Sequence, residues 1–172
     1  MTPDSVGEHE AYAPRALGWG LLTVSSSRTL AEDRGGERLA ALLGEAGHER
    51  VERRLVPDDE AAIGEAVGDL LRADGVDVVV VTGGTGVSPS DLTPEAVEPL
   101  LERRLDGFGE LFRSLSFAEI GPAALLSRAL AGTARGRVVF VLPGSPAAVE
   151  LAMRRLVLPV APHLVGQLRR ER

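Results

Sequence analysis

The chain has 172 residues, 44% of them hydrophobic and 26% charged, which suits one globular domain with a full-sized core. It has no cysteine and all 19 basic residues are arginine, which excludes disulfides, thiolate metal sites and chemistry that depends on cysteine or lysine. The net charge of −6 does not favour nucleic-acid binding. Without a long apolar run or a signal-peptide pattern, we expect a cytoplasmic protein that enters no membrane.

The chain begins with a polar segment and then alternates between strands and helices. Residues 1–16 show no clear periodicity and are predicted to form an arm before a single domain at residues 17–172. Residues 17–24 predict a first strand, which ends in a polar loop of serines. Residues 36–46 place leucines on one helical face, and the charged segment 51–56 predicts a second strand near the edge of the sheet.

A second helix and a buried strand follow. Asp59 suits the N-cap of a helix whose apolar residues recur at i, i+3 and i+4. The four valines at 78–81 predict a fully buried parallel strand that leads into Thr82-Gly83-Gly84-Thr85-Gly86. Thr93 and Pro94 fit the N-cap and the first position of another helix.

The last third of the chain continues this alternation. Residues 107–117 look helical at their centre, and residues 121–131 predict a further helix. Residues 137–142 predict a last core strand that ends in a Pro-Gly-Ser-Pro turn, where Pro146 can open a helix. Two later prolines are expected to break the chain before a short basic helix. The alternation favours a mostly parallel sheet with helices on both faces.

The glycine-rich loop after the valine strand is the strongest indication of function in the sequence. Open α/β sheets bind ligands at the carboxyl ends of parallel strands, and glycines let backbone N–H groups approach an anion. Asp91 follows five residues later, so an anion cradle with a carboxylate at its edge suggests metal-assisted phosphate chemistry. A tight turn remains the alternative for the loop, and capping or turn roles remain open for Asp58, Asp59 and Asp91.

Other polar segments also have two interpretations. Ser25, Ser26 and Ser27 could line a ligand site or satisfy backbone groups at the end of the strand. The turn at residues 143–146 could be rigid structure or a wall of small residues against which a flat ligand packs. The three histidines are far apart in sequence and are predicted to be structural or surface residues, and the tryptophan and phenylalanines are predicted to be core.

Taken in order, nine segments resemble the MoaB/Mog family of molybdenum-cofactor biosynthesis proteins, and the arm resembles its MoaB branch. The segments, spread over residues 8 to about 165, include Thr23-Val24-Ser25-Ser26-Ser27-Arg28-Thr29, Asp33-Arg34-Gly35-Gly36, Leu55-Val56-Pro57-Asp58-Asp59, Thr82-Gly83-Gly84-Thr85-Gly86, Asp91-Leu92-Thr93-Pro94-Glu95-Ala96, Gly107-Phe108-Gly109-Glu110, Ile120-Gly121-Pro122, Leu126-Ser127-Arg128-Ala129 and Leu142-Pro143-Gly144-Ser145-Pro146.

The resemblance implies an α/β fold, a three-layer α/β/α sandwich with a mostly parallel sheet, and a homotrimer or homohexamer. It also implies molybdopterin as ligand and adenylyl transfer from Mg²⁺-bound ATP to molybdopterin, with release of pyrophosphate. A catalytically inactive molybdopterin-binding paralogue is the alternative. A molybdate-insertion protein is a possible partner.

The resemblance also assigns residues to these roles. It puts the two carboxylates needed for adenylyl transfer at Asp58 and Asp91, which are the predicted Mg²⁺ ligands. The predicted substrate-binding residues come from the strand-end loops and from the segment that follows Gly107, and they are Thr23, Ser25, Ser26, Gly83, Gly84, Thr85, Gly86, Glu110, Ser116, Pro143, Gly144, Ser145 and Pro146.

Four positions depart from the family pattern. Ser26 and Ser90 stand where many relatives have aspartate and arginine, while Asp106 and Ala147 stand where proline and a polar residue are common. The loss of a basic residue at Ser90 could weaken phosphate binding, since arginine binds phosphate through paired charge-assisted hydrogen bonds.

Overall fold

The computed structural model describes residues 16–170, with the backbone alone at residues 49–51. All but the last residue of the predicted arm lies outside the described residues. Six strands form one sheet: β1 (Gly18–Val24), β2 (Glu49–Val56), β3 (Val78–Thr82), β4 (Arg103–Arg104), β5 (Leu130–Ala134) and β6 (Arg137–Leu142). Their order in the sheet is β2-β1-β3-β6-β5-β4. The first four strands are parallel, β5 pairs antiparallel with β6, and β4 pairs antiparallel with β5.

Six α-helices connect or flank these strands. They are α1 (Arg34–Glu45), α2 (Glu60–Leu70), α3 (Thr93–Val97), α4 (Asp106–Ile120), α5 (Pro146–Ala152) and α6 (Leu158–Leu168). Short 3-10 helices occupy Glu98–Leu100 and Gly121–Leu126, and a π-helical turn at Met153–Val157 joins α5 to α6. Within the described range, no helix combines the length and apolar character needed to cross a membrane.

The valines of β3 divide the core into two layers. Val78 and Val80 belong to one buried cluster, with side chains from α1, α4, α5 and α6. Val79 and Val81 belong to the other, with side chains from α2 and α3. Because successive side chains of a strand point to opposite faces, helices must cover both sides of this sheet. The structure therefore confirms the mostly parallel α/β fold.

The register of the parallel strands brings their carboxyl ends to one edge. Thr23 of β1 pairs with Thr82 of β3, which pairs with Leu142 of β6, and Val24 pairs with Val56 at the end of β2. Four loops consequently leave the sheet side by side, which is the arrangement that open parallel sheets use for ligand binding.

The helix predicted over residues 121–131 is wrong in its second half. The chain forms a 3-10 helix at Gly121–Leu126 and then enters the fully buried strand β5. Arg135 and Gly136, with φ of 52° and 71°, close a tight hairpin that pairs β5 with β6. Pairing with a core strand overrides the helical preference of the local alanines and leucines.

The predicted break at Pro159 and Pro162 is also wrong, because α5, the π-helical turn and α6 run on without interruption. Pro159 lies in the first turn of α6, directly after the π-helical turn, where the hydrogen-bond pattern already changes. Two smaller differences concern Thr93, which is the first residue of α3 rather than its N-cap, and Phe117, whose side chain is exposed rather than buried. Trp19 is buried in the core, as predicted, together with the other phenylalanines that the structure describes.

Candidate functional site

Close backbone packing joins three of the strand-end loops. A Cβ at Gly35, in the first turn of α1, would lie 2.5 Å from the Gly144 carbonyl oxygen, and a Cβ at Gly144 would lie 3.2 Å from the Cα of Gly83. Gly83 has φ of 99°, and a Cβ there would overlap the Val24 carbonyl oxygen. The approaches at Gly35 and Gly83 leave no room for a Cβ, so these residues must be glycine and form a floor of backbone without side-chain bulk.

Thr93 holds the first half of the glycine loop from below. Its hydroxyl donates to the Gly83 carbonyl over 2.8 Å, and its backbone N–H donates to the Gly84 carbonyl over 3.1 Å. Thr93 is fully buried, so both bonds are shielded from water. The residue predicted to cap a helix therefore supports the loop instead.

Arg128 holds the second half of the loop. Its backbone N–H donates to the Thr85 carbonyl over 3.0 Å, and its side-chain Nε donates to the Gly86 carbonyl over 2.7 Å. All four carbonyl groups from Gly83 to Gly86 are thus engaged by Thr93 or Arg128. The N–H groups of Gly84, Thr85 and Gly86, in contrast, have no acceptor among the described residues. Adjacent unpaired amides form an anion-binding concavity.

Asp58 stands beside this loop with one carboxylate oxygen held in place. Asp58 Oδ2 accepts from the backbone N–H of Ser26 over 2.7 Å and from its hydroxyl over 2.8 Å. The Oδ1 atom accepts no hydrogen bond within the described part of the chain and would lie 3.4 Å from a Cβ at Gly84. The neighbouring Asp59 is the N-cap of α2 and accepts from the Ala62 N–H over 2.8 Å, so the capping role falls to Asp59.

Asp91 stands at the far side of the same loop in a similar state. Its Oδ2 atom accepts from the Ser88 N–H over 2.9 Å and would lie 2.7 Å from a Cβ at Gly86. No hydrogen bond to Oδ1 occurs in the described residues. Each carboxylate therefore has one fixed oxygen and one available oxygen, and the two approach the loop at Gly84 and at Gly86.

The donor set fits a Mg²⁺ ion that arrives with a phosphorylated substrate. Over residues 16–170, no group of three or more His, Cys, Asp or Glu residues could hold a metal by itself. Mg²⁺, however, usually binds one or two carboxylates together with substrate phosphates and water. Asp58 and Asp91 supply that number of carboxylates beside unpaired amides.

A cavity of about 330 Å³ opens over the loop. Its polar lining comprises Asp91, Ser127 and predicted substrate-binding residues: Gly84, Thr85, Gly86, Ser116, Pro143, Gly144 and Ser145. Its apolar side was not predicted and comes from α4, α5 and the 3-10 helix between α4 and β5: Phe112, Ile120, Ala123, Ala124, Leu126 and Ala148. The helical spacing of apolar residues in α4 is only a weak sequence signal for this part of the cavity, because an ordinary core-facing helix has the same spacing.

Several predicted residues lie elsewhere. Thr23 is buried beneath the loops, and its hydroxyl donates to Asp33 over 2.6 Å. The Ser25 N–H donates to the Val56 carbonyl over 2.9 Å, whereas the Ser26 hydroxyl donates to the Asp58 carboxylate. Glu110 lines a separate cavity of about 580 Å³, between α3 and α4. Gly83 and Pro146 flank the smaller cavity at the ends of their loops.

Asp33 anchors the first turn of α1 under the site. Burial by itself would raise the pKa of Asp33, but hydrogen bonds from the Arg53 guanidinium, the Thr23 hydroxyl and the Gly36 amide outweigh it and lower the pKa. The ionised carboxylate therefore ties β1, β2 and α1 together below the loops.

Comparison with known proteins decides the family. The sequence pattern of a family described as "Probable molybdopterin binding domain" matches residues 20–163. The chain belongs to this family. It is 45% identical over 168 residues to the molybdenum cofactor biosynthesis protein B of Bacillus cereus. The matched region covers 97% of this chain and 99% of that protein.

Two solved structures place the chain among MoaB/Mog proteins. A crystal structure of molybdenum cofactor biosynthesis protein B superimposes with a TM-score of 0.89 at 44% identity and covers 92% of this chain and 99% of that one. The tungsten cofactor synthesizing protein MoaB from Pyrococcus furiosus superimposes with a TM-score of 0.82 at 36% identity, with coverage of 92% and 100%.

Ser26 and Ser90, two of the four positions that were expected to depart from the family pattern, lie next to the carboxylates. The Ser26 hydroxyl holds Asp58 directly. Ser90 precedes Asp91, and its hydroxyl lies 3.1 Å from that of Ser88 on an exposed turn. Asp106 begins α4 and accepts from Arg104, and Ala147 lies in the first turn of α5 beside the cavity.

Proposed function

We propose that this member of the molybdenum-cofactor biosynthesis family is a molybdopterin adenylyltransferase. The reaction uses Mg²⁺-bound ATP to adenylylate the terminal phosphate of molybdopterin and releases pyrophosphate. The observation that carries the proposal is the glycine loop, whose three unpaired amides lie between two carboxylates that each keep one available oxygen.

The site needs no nucleophile from the protein. The phosphate of molybdopterin attacks the α-phosphorus of ATP, and pyrophosphate leaves. The chain contains neither cysteine nor lysine, so its contribution is to position the reacting groups and to stabilise their charge. The amides of Gly84, Thr85 and Gly86 would hold the molybdopterin phosphate at the base of the cavity.

The two carboxylates would hold Mg²⁺ through Oδ1 of Asp58 and Oδ1 of Asp91. When bound, Mg²⁺ neutralises the ATP phosphates and the departing pyrophosphate. Ser26 and the Ser88 amide hold the opposite oxygens and thereby orient the carboxylates. The two carboxylates would contribute unequally if only one of them contacts the metal directly.

The shape of the cavity suits a flat pterin ring. Pro143, Gly144 and Ser145 contribute little side-chain bulk to its lining, and Phe112 and Leu126 contribute apolar surface. A volume of about 330 Å³ lies at the small end of the range of ligand pockets. ATP would therefore extend from the cavity across the loop toward Asp58.

Direct assay of adenylylated molybdopterin tests the proposal. We would incubate the purified protein with molybdopterin, ATP and Mg²⁺ and quantify the product with Asp58→Asn, Asp91→Asn and the control Asp59→Asn. The control removes the same charge one residue away but keeps an N-cap, because asparagine caps helices as well as aspartate does. Product from the wild type and Asp59→Asn, with large losses in the other two variants, is expected.

A molybdopterin-binding protein without catalysis is the second candidate. Ser90 favours it, because no basic side chain precedes Asp91 here and Arg128, which lies nearby, is engaged with backbone carbonyls. Molybdopterin binding with no adenylylated product from the wild type would select this candidate. The assay therefore separates the two functions by product and binding together.

We also propose that the protein acts as a homotrimer or homohexamer in the cytoplasm, where ATP is available, and passes its product to a molybdate-insertion protein. Exposed apolar side chains beside the cavity support self-association: Phe117 is 58% exposed, Ile120 60% and Leu125 77%. Sedimentation equilibrium tests this, and a monomer at micromolar concentration would contradict it.

A further inference from the structure

We propose that Arg128 is a positioning residue that sets the direction of the loop amides and the position of Asp91. The functional consequences of this role rest on the proposed adenylyl transfer or on molybdopterin binding. The structural basis does not, because it consists of contacts within the chain.

The guanidinium of Arg128 spans both ends of the segment between the glycine loop and Asp91. Its Nε donates to the Gly86 carbonyl over 2.7 Å, and its Nη2 donates to the Asp91 carbonyl over 2.6 Å. Its Nη1 pairs with the Glu95 carboxylate on α3. The backbone N–H of the same residue donates to the Thr85 carbonyl over 3.0 Å.

These contacts determine where the loop amides point. In a planar trans peptide, the carbonyl of one residue and the N–H of the next point in opposite directions, and no described peptide bond is cis. When Arg128 holds the Thr85 carbonyl, it turns the Gly86 N–H to the other side. Thr93 acts in the same way through the Gly83 and Gly84 carbonyls on the N–H groups of Gly84 and Thr85.

Arg128 also sets the backbone of Asp91. The carbonyl bond from Nη2 fixes the main chain at Asp91, and the Ser88 amide fixes the rotation of its carboxylate. The same rigid fork therefore sets the spacing between the loop and the carboxylate. A flexible ammonium could not hold two carbonyl groups and a carboxylate in one plane.

Three further observations favour a positioning role over direct contact with the substrate. Each of the three guanidinium nitrogens already has a partner in the chain. The hydrogen bond from Arg128 lowers the pKa of Glu95, which favours the carboxylate form that accepts from Arg128. Arg128 also lies two residues before the start of β5, which pairs with β6 along its whole length.

The chain offers a matched control in Arg137. Its Nε donates to the Val76 carbonyl over 2.8 Å and its Nη2 to the Ala73 carbonyl over 2.9 Å. Arg137 begins β6, so these bonds lie at the opposite edge of the sheet from the site. Its Nη1 also donates to the Arg135 carbonyl over 3.3 Å. Arg128→Lys and Arg137→Lys therefore each remove guanidinium contacts to backbone carbonyls while they keep the charge.

The experiment compares these two variants with the wild type. We would measure kcat, the KM for each substrate, the Mg²⁺ dependence of the rate and the hydrogen exchange of the Ser88 and Asp91 amides, which are hydrogen-bonded within the segment that Arg128 spans. Arg128→Lys is expected to lower kcat about 10- to 100-fold, since displacements near 1 Å have such effects, to require more Mg²⁺ and to speed amide exchange. Arg137→Lys is expected to keep kcat within about twofold, because the loop stays held.

If the two variants lower kcat equally, and only as far as each loses thermal stability, Arg128 has a structural role alone and the proposal is wrong. Wild-type kcat, Mg²⁺ dependence and exchange in Arg128→Lys would overturn the proposal outright. If the wild type itself makes no product, adenylyl transfer fails as the function, and molybdopterin affinity replaces kcat as the readout. Arg128→Lys should then bind about 10-fold more weakly than Arg137→Lys, and equal affinities would reject the role of Arg128.

Discussion

Ser26 and Asp58 hold each other across the ends of two parallel strands. The Ser26 hydroxyl donates to Asp58 Oδ2 over 2.8 Å, and the Asp58 N–H donates back to the Ser26 oxygen over 2.9 Å. An aspartate at position 26 would have no hydroxyl to donate and would add a second negative charge beside Asp58. The serine therefore provides a neutral way to orient the Asp58 carboxylate.

Replacement of Ser26 should affect activity more than stability. Ser26→Ala removes both hydroxyl bonds and leaves only the backbone bond to Asp58. Because the site is exposed, we expect a loss of at most about 1 kcal/mol in stability, but a several-fold loss in the rate of adenylyl transfer. Ser27→Ala is the matched control, since its hydroxyl makes no hydrogen bond within the described residues. Equal rates for the two variants would contradict the role of Ser26.

A methyl group at Gly86 should disturb Asp91 without disturbing the fold. The added Cβ would lie 2.7 Å from Asp91 Oδ2, and φ at this position is not in the left-handed region. We expect Gly86→Ala to lower the rate of adenylyl transfer at least 10-fold at nearly unchanged melting temperature, because the carboxylate must move.

Gly44→Ala provides the comparison for this substitution. Gly44 lies in α1, where an added Cβ meets nothing within 4 Å, and alanine there should stabilise the protein by up to about 1 kcal/mol. Kinetics and thermal unfolding of both variants distinguish a local effect at Asp91 from a general effect of adding a methyl group. Full activity in Gly86→Ala would show that Asp91 tolerates displacement.

The buried carboxylate of Asp33 should make the protein sensitive to acid. Its pKa in the folded state lies below its ordinary value of 3.8, so its stabilising contribution is complete above that value. The contribution is lost as the pH falls through the lower folded pKa, because protonation removes the pairing with Arg53.

Asp33→Asn should therefore destabilise the protein near neutral pH and flatten this acid dependence. We expect the free energy of unfolding to fall by about 3 kcal/mol. This value is at the low end for a broken buried pair, because the Arg53 side chain is 18% exposed and water can solvate its charge. Urea unfolding from about pH 7 down to the acid range measures both effects. An unchanged pH profile in the variant would rule out Asp33 as the group responsible.

The surface pairing between α1 and α5 should depend on salt. Hydrogen bonds from Arg38 and Arg154 lower the pKa of Glu150 from 4.5 to about 2, and Glu45 accepts from the same two arginines. Glu45, Glu150 and Arg154 are largely open to solvent and Arg38 is half-buried, so ions screen their attraction. The contribution of Glu150 is present above pH 4.5 and is lost as the pH falls toward 2.

We expect Glu150→Gln to lower the melting temperature in dilute buffer near neutral pH. The difference from wild type should shrink in about 1 M salt, where the Debye length is about 3 Å. Thermal unfolding at the two salt concentrations provides the measurement, with Glu102→Gln as a single-contact surface control. A difference that persists in high salt would point to packing rather than to charge.

The sequence by itself predicted the fold class and the edge of the sheet at which the polar loops meet. A run of four valines is buried on both faces, which requires helices on both sides of a parallel strand. The register of such strands then brings the loops after Val24, Val56, Thr82 and Leu142 to one edge. Local chemistry also predicted that Asp59 caps α2, because its side chain precedes an apolar helical pattern.

Only the tertiary structure decided which groups in that site are available. Strand β5 and the carbonyl contacts of Arg128 depend on pairing between segments distant in the chain, which local preferences do not encode. The same holds for Glu110, which α4 carries to a different cavity from Ser116. The direction of each loop amide follows from a hydrogen bond to Thr93 or Arg128, and no pattern of glycines specifies that direction.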